Sequence, residues 1–167
     1  MKIALLSDTH GYLDKAILKY LTTADEIWHA GDIGSKEVLE QLQELPGKIK
    51  IVHGNIDNQQ LRLMAPENQV FETSGAKILL THIAGTPPRY NKKVKVLIEK
   101  HRPDILVCGH SHILKVKHDT HYNLLYINPG ACGNHGFHKM RTIILFEITN
   151  AKPINMRVIE LGKRGIL

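Results

Sequence analysis

The sequence predicts an α/β protein of four layers, an α/β/β/α sandwich of two packed mixed sheets flanked by helices. Three observations lead there. The first two-thirds of the chain alternates short apolar, β-branched runs with helix-like stretches, the pattern of βαβ units and a largely parallel central sheet. The last third changes to closely spaced strands, as in a meander. A chain of 167 residues, 43% of them hydrophobic, can bury a sizeable core without disulfides or a structural metal, so residues 1–167 are expected to form a single domain.

In chain order, Lys2–Ser7 is the first strand; Ser7, Asp8 and His10 interrupt its apolar stretch too early for a signal-peptide core. Asp14–Leu21 has helical periodicity, and Glu26–Ala30 is the next strand. Lys36–Leu45 places Val38, Leu39, Leu42 and Leu45 on one helical face before the stop at Pro46-Gly47. Strands come next at Lys48–Val52 and Lys77–Thr81. Asn91–His101 is a third helix, with Val94, Leu97, Ile98 and His101 along one side and its lysines elsewhere; Arg102-Pro103 closes it. Asp104–Cys108 is the fifth run. Leu114–Asp119 and Tyr122–Ile127 are expected to form a hairpin, and Thr142–Ile148 and Ile154–Glu160 two further strands. A loop rich in glycine and histidine, Asn134–Met140, precedes that last pair. No linker or internal repeat interrupts the chain.

Composition narrows the function. No apolar run approaches the roughly 20 residues of a membrane span, so no membrane partner is expected. Cys108 and Cys132 have neither metal-finger nor redox spacing and are too few for a secreted framework, which favours the cytoplasm. A net charge of +6 favours anionic partners. The unusual count is histidine, 11 residues, because histidine is both the commonest metal ligand and the usual acid–base group near neutral pH.

The histidines become informative through their places at the ends of the apolar runs. The first run ends in Ser7-Asp8-Thr9-His10, the second in Gly31-Asp32, the third in Gly54-Asn55, the fourth in Thr81-His82 and the fifth in Gly109-His110-Ser111-His112. Each block taken alone is also what a turn, a helix cap or a buried histidine produces. Their succession, one at every strand end, points to a shared crevice, because the carboxyl ends of parallel strands are where α/β sheets bind ligands. The donors are Asp8, Asp32, Asn55, His10, His82, His110 and His112. Seven exceed one zinc site, whereas two metals sharing Asp32 would have four protein ligands each. The mixed nitrogen and oxygen set suits Mn, Fe, Ni or Zn better than Ca or Mg.

As a set, these blocks resemble the signature of the calcineurin-like metallophosphoesterases over roughly residues 1–130, and the short chain with Asn128-Pro129-Gly130 looks most like their small single-domain phosphodiesterases, whose relatives include the retromer scaffold subunit. The resemblance implies that Asp8, His10, Asp32 and His112 hold one metal, and that Asp32, Asn55, His82 and His110 hold the other. It also implies two divalent transition-metal ions, foremost Mn2+ with Ni2+, Fe2+ or Zn2+ as alternatives. The expected activity is hydrolysis of small phosphate diesters by in-line attack of a metal-bridging hydroxide, with Asp32, Asn55 and His110 serving catalysis. One position departs: many members carry a histidine after the Gly-Asn pair as proton donor, and here Ile56 stands there. That change disfavours phosphomonoesters with poor leaving groups, by about 10²–10⁴-fold. His135 or His138 is a candidate replacement.

The remaining residues have two readings each. His29 and His53 either orient the neighbouring ligand blocks or are polar tips at strand ends. Asp57 is either a hydrogen-bonding support or a turn residue beside Asn58. His101 is expected to face its helix's carbonyl end, His118 and His121 to be solvated, and Cys108 to be a buried small hydrophobe. Scattered lysines and only 5% aromatic residues rank small diesters above nucleic-acid polymers as partners. The C-terminal strands could pair in a homo-oligomer. The alternatives to the phosphodiesterase are a scaffold or protein-binding module on the same fold, a phosphomonoesterase, and a nuclease.

Overall fold

The computed structural model describes residues 1–165. The strands are β1 (Lys2–Leu6), β2 (Glu26–His29), β3 (Lys48–Ile51), β4 (Asn68–Thr73), β5 (Ala76–Thr81), β6 (Gly85–Thr86), β7 (Arg89–Tyr90), β8 (Ile105–Val107), β9 (Lys115–Asp119), β10 (Leu124–Asn128), β11 (Met140–Thr149) and β12 (Lys152–Lys163). The helices are α1 (Lys15–Leu21), α2 (Lys36–Gln43), α3 (Gln59–Met64) and α4 (Lys92–His101). One five-stranded sheet has the order β12-β11-β1-β2-β3, and the other β4-β5-β8-β10-β9. Within them β1-β2-β3 and β5-β8-β10 are parallel, and the flanking strands β11, β12, β4 and β9 run antiparallel to their neighbours.

Three apolar clusters make the four layers. Side chains alternate along a strand, so Ile3 and Leu5 of β1 face the other sheet while Ala4 and Leu6 face the helices; all four are buried, as a central strand covered on both sides requires. Between the sheets, Ile3, Leu5 and Trp28 meet Ile78, Leu80, Ile105, Val107 and Ile127. Ile17 and Leu21 of α1 and Val38, Leu39 and Leu42 of α2 pack on Ala4, Leu6 and Ile27. On the opposite outer face, Val94 and Ile98 of α4 cover Leu79, Leu106 and Tyr126. The predicted sandwich is the observed fold.

Each helix starts where a side chain satisfies an open backbone N–H. Asp14 accepts from Ile17 N at 3.0 Å, Ser35 from Val38 N at 3.4 Å, Asn58 from Leu61 N at 3.0 Å and Asn91 from Val94 N at 2.8 Å. Helix α4 ends at Arg102, in the left-handed region, whose N–H returns to Ile98 O.

Several boundaries correct the sequence reading. The five apolar runs do not share one sheet: three lie in the first, and β5 and β8 in the second. The hairpin's second strand begins at Leu124 and not at Tyr122, because a turn over residues 120–123 closes with Asn123 at φ 51°. Helix α3 and strands β4, β6 and β7 were not expected.

Candidate metal centre

The carboxyl ends of β1, β2, β5 and β8 pass directly into the loops that carry the predicted donors. Asp8, His10, Asp32, His110 and His112 all have positive φ, between 49° and 67°. Non-glycine residues in the left-handed region cost about 1–3 kcal/mol each and persist only when surroundings hold them. Here the loops hold one another: Asp8 N donates to Gly31 O at 3.0 Å, His10 N to Asp32 O at 3.0 Å, and Gly109 N to His82 O at 3.0 Å. The last of these belongs to the second sheet, the others to the first.

Two candidate metal-binding clusters result, Asp8, His10 and His112 in one and Asp32, His82 and His110 in the other, with the donor atoms of each within 4.8 Å of one another. In the first, His112 Nε2 lies 3.2 Å from Asp8 Oδ1 and 3.2 Å from His10 Nε2. In the second, His82 Nε2 lies 3.2 Å from Asp32 Oδ1, and Asn55 joins it with Oδ1 3.1 Å from His82 Nε2. Asp32 spans both, since its Oδ2 is 3.8 Å from His10 Nε2. All seven predicted donors therefore meet at one edge of the sandwich.

The donor chemistry fits divalent cations. Histidine nitrogens and carboxylate oxygens converge in each cluster, and His82 Nδ1 donates to Ala30 O at 2.7 Å, which leaves Nε2 unprotonated in the neutral ring. Without a cation the charges compensate one another. Burial lowers the His82 pKa, but its hydrogen bond to Asp32 and the charges of Asp8 and Asp32 outweigh this and raise it overall. Burial likewise pushes the Asp32 carboxyl up, yet His82 and the Ile56 N–H hold it below the ordinary value. For His10 burial wins, and its pKa is lowered.

Residues behind the donors fix these loops. Buried Asp57 accepts from Ile33 N at 3.1 Å, Gly34 N at 2.8 Å and Gly54 N at 2.7 Å, tying the Asp32 and Asn55 loops together. Of its two readings, support is the observed one. Arg62 on α3 donates to the carbonyls of Asn55 (2.9 Å) and Asp57 (2.8 Å). No sequence signal marks Arg62, which lies in a helix too short to show a period. Gly54 is required by close approach: a Cβ there would stand 2.0 Å from Asp32 Oδ1.

His29 is buried and neutral. Its Nδ1 accepts from Gly31 N at 3.2 Å, which leaves the Nε2 proton to donate to Thr9 Oγ1 at 2.9 Å; Thr9 Oγ1 in turn donates to Ile33 O at 2.9 Å. It thus links the Asp8 and Asp32 loops. Burial pushes its pKa from 6.5 down to about 4. Above pH 6.5 neither folded nor unfolded chain protonates it, so its contribution is intact. As pH falls from about 6.5 towards about 4 the unfolded state takes up the proton first, and stability is lost, on the order of 2 kcal/mol by pH 5. Urea unfolding of metal-free protein at pH 7 and pH 5 is expected to show this loss in the wild type and a smaller one in His29→Asn; equal losses in the two proteins would contradict it.

Ile56 is half-exposed beside Asn55, and its N–H donates to Asp32 Oδ1 at 3.1 Å. Its side chain carries no proton to transfer. Of the two histidines named as replacements, exposed His135 stands with its ring 5.2 Å from that of His10. His138 has both ring nitrogens engaged, with His112 Nδ1 at 3.2 Å and Gly133 O at 3.0 Å. Two cavities flank the second cluster. One, of about 440 Å³, is lined by Asn55, His82, Arg62, Lys92 and Lys93; the other, of about 350 Å³, by His110, Arg89, Lys115 and Tyr126. Ile83 borders both.

Two packed mixed sheets thus carry, at their strand ends, paired His/Asp clusters that could each hold a metal ion. Residues 1–151 match the calcineurin-like phosphoesterase superfamily domain, and the chain belongs to that family. It is 33% identical over 137 residues to a probable metallophosphoesterase of Methanocaldococcus jannaschii, covering 78% of this chain and 68% of that one. A probable metallophosphoesterase of Mycoplasma pneumoniae is 34% identical over 138 residues, 78% of each chain. A phosphodiesterase of M. jannaschii is 27% identical over 147 residues, covering 79% of this chain and 84% of that one. Among solved structures, an archaeal phosphodiesterase superposes with a TM-score of 0.78 at 22% identity, over 96% of this chain and 99% of its own. Vps29 of Entamoeba histolytica complexed with zinc does so with a TM-score of 0.75 at 19% identity, over 97% and 100%. No described helix is long and apolar enough to cross a membrane.

Proposed function

We propose that this protein is a phosphodiesterase that hydrolyses small phosphate diesters with two divalent ions, foremost Mn2+. Asp8, His10, Asp32 and His112 hold one ion, and Asp32, Asn55, His82 and His110 the other. The observation that carries this reading is Asp32, which turns one carboxylate oxygen toward each cluster, 3.2 Å from His82 Nε2 and 3.8 Å from His10 Nε2. When bound, a pair of divalent ions supplies hydroxide near neutral pH and offsets charge that develops at phosphorus.

The chain's own residues supply the positioning. Asp32 sets the two halves of the site in register, and the Ile56 N–H fixes the rotation of its carboxylate. Asn55 and His110 are exposed and border different cavities, so both reach a bound ester; with Asp32 they are the residues assigned to catalysis. Two cavities on either side of one centre suit a phosphorus with two substituents, which favours diesters over monoesters. Arg62, Lys92 and Lys93 on one side, and Arg89 and Lys115 on the other, favour anionic substrates. With Ile56 in the acid's place, good leaving groups are cleaved best. The two cysteines are buried free thiols, in keeping with work in the reducing cytoplasm. The Vps29 neighbours favour a second reading, a protein-binding scaffold; the complete donor set weighs against it.

The test is hydrolysis of bis-p-nitrophenyl phosphate and p-nitrophenyl phosphate by chelator-stripped protein with Mn2+, Ni2+, Zn2+ or Mg2+ restored singly. Metal-dependent turnover that prefers the diester is expected. Ile56→His is expected to raise rates on diesters with poor leaving groups while changing bis-p-nitrophenyl phosphate little. Folded protein inactive on both esters with every metal would contradict the reading and leave the scaffold.

A further inference from the structure

The three histidines His10, His112 and His138 at the first cluster are not equivalent. His10 and His112 offer nitrogens to it, and the loop over residues 134–139 brings His138 behind His112, with the two rings edge-on at 5.1 Å. His138 Nε2 is 3.0 Å from Gly133 O. A carbonyl oxygen only accepts, so this nitrogen carries the proton. In the neutral ring Nδ1 is then bare. It faces His112 Nδ1 at 3.2 Å, and that contact is a hydrogen bond only if His112 supplies the proton. His112 thereby carries a proton on Nδ1 and directs Nε2 at Asp8 and His10, where that nitrogen holds a second proton against Asp8 Oδ1 or gives its lone pair to a cation. His82 reaches the same state through a backbone carbonyl, whereas His112 reaches it through a second imidazole.

Two independent features are built around this contact. A Cβ on Gly136 would lie 2.1 Å from His112 Nδ1 and 3.3 Å from His138 Nδ1, so a side chain there would break the pair. Arg164 fixes the loop from the far end of the chain: its N–H donates to Lys139 O at 3.0 Å and its Nε to His138 O at 2.9 Å.

We propose that His138 is a positioning residue of the metal centre, a proton acceptor that locks His112 in the tautomer able to bind a metal through Nε2. The proposal rests on the reading of His112 as a ligand, and it assigns His138 to orientation and not to proton donation toward a leaving group.

Long-range ¹H–¹⁵N spectra of the metal-free, histidine-labelled protein read the tautomer directly. Wild-type His112 is expected to be protonated at Nδ1, whether or not Nε2 also holds a proton against Asp8. In His138→Leu the Nε2–H form of His112 gains population, and affinity for Zn2+ at this cluster, measured by competition with a chromophoric chelator, falls about 10–100-fold. In His138→Gln the amide's N–H and C=O serve the same two partners, and most of the affinity returns. Wild-type His112 with Nδ1 bare, or a His138→Leu protein with unchanged tautomer and affinity, would overturn the proposal. The wild-type spectrum needs neither activity nor metal, so it decides the hydrogen bond even if the phosphodiesterase reading fails or His138→Leu does not fold.

Discussion

Asp32→Asn is expected to lower kcat/KM for bis-p-nitrophenyl phosphate by more than about 10³-fold, beyond the 10²–10³ typical of losing one hydrogen-bond donor to a transition state. A carboxylate presents a lone pair to both neighbours, and Asp32 faces His82 with Oδ1 and His10 with Oδ2. An amide has one oxygen. Its NH2 would point a partial positive charge at one cluster, where a cation is to bind. The fold should survive, because the asparagine Oδ1 can still accept from Ile56 N, now 3.1 Å away. Activity within tenfold of wild type, in protein with an unchanged circular dichroism spectrum, would show that Asp32 does not join the two halves.

The greatest loss of stability is expected for Trp28→Ala, about 3–5 kcal/mol in metal-free protein. Trp28 is fully buried between the sheets, edge-on to Phe71 at 5.3 Å and to Phe146 at 5.5 Å. Its Nε1 donates to Glu26 Oε2 at 2.9 Å, so truncation opens a cavity and also removes a partner from a buried carboxylate. Thr73 Oγ1 still reaches that group at 2.9 Å, which limits the second penalty. Against a typical total of about 5–15 kcal/mol the loss is severe. Trp28→Phe keeps most of the packing and should cost clearly less. Urea unfolding measures both, and a loss below about 1 kcal/mol for Trp28→Ala would mean that the intersheet layer repacks around the gap.

Whether a feature is legible in the sequence depends on the range over which its pattern acts. Strand β1 was legible because both of its faces are buried, leaving an unbroken apolar run. Helix α2 was legible through Val38, Leu39 and Leu42, three buried residues at helical spacing ahead of the Pro46-Gly47 stop. The clustering of Asp8, His10, Asp32, Asn55, His82, His110 and His112 was legible because each follows its strand's end by a few residues. Partner choice among strands was not: periodicity reports that Ile78 is buried, not that β5 pairs with β8. Strand β4, Asn-Gln-Val-Phe-Glu-Thr, is polar at alternate and adjacent positions, so only Phe71 hinted at its inner face. Helix α3 has six residues, fewer than two turns. The left-handed backbone at Asp8 and His112 belongs to residues that also occur in ordinary conformations. His138 stands 26 residues from His112, and only the crossing of the chain from β10 in the second sheet to β11 in the first brings its loop to the site.

Electron paramagnetic resonance of chelator-stripped protein titrated with Mn2+ reports both the number of ions bound and whether they share a bridge, and so bears straight on the shared role of Asp32. Two Mn2+ per chain are expected at saturation, with an exchange-coupled signal that is lost in Asp32→Asn. A single uncoupled Mn2+ per chain at saturation, or coupling that persists without the Asp32 carboxylate, would contradict the bridged two-ion centre.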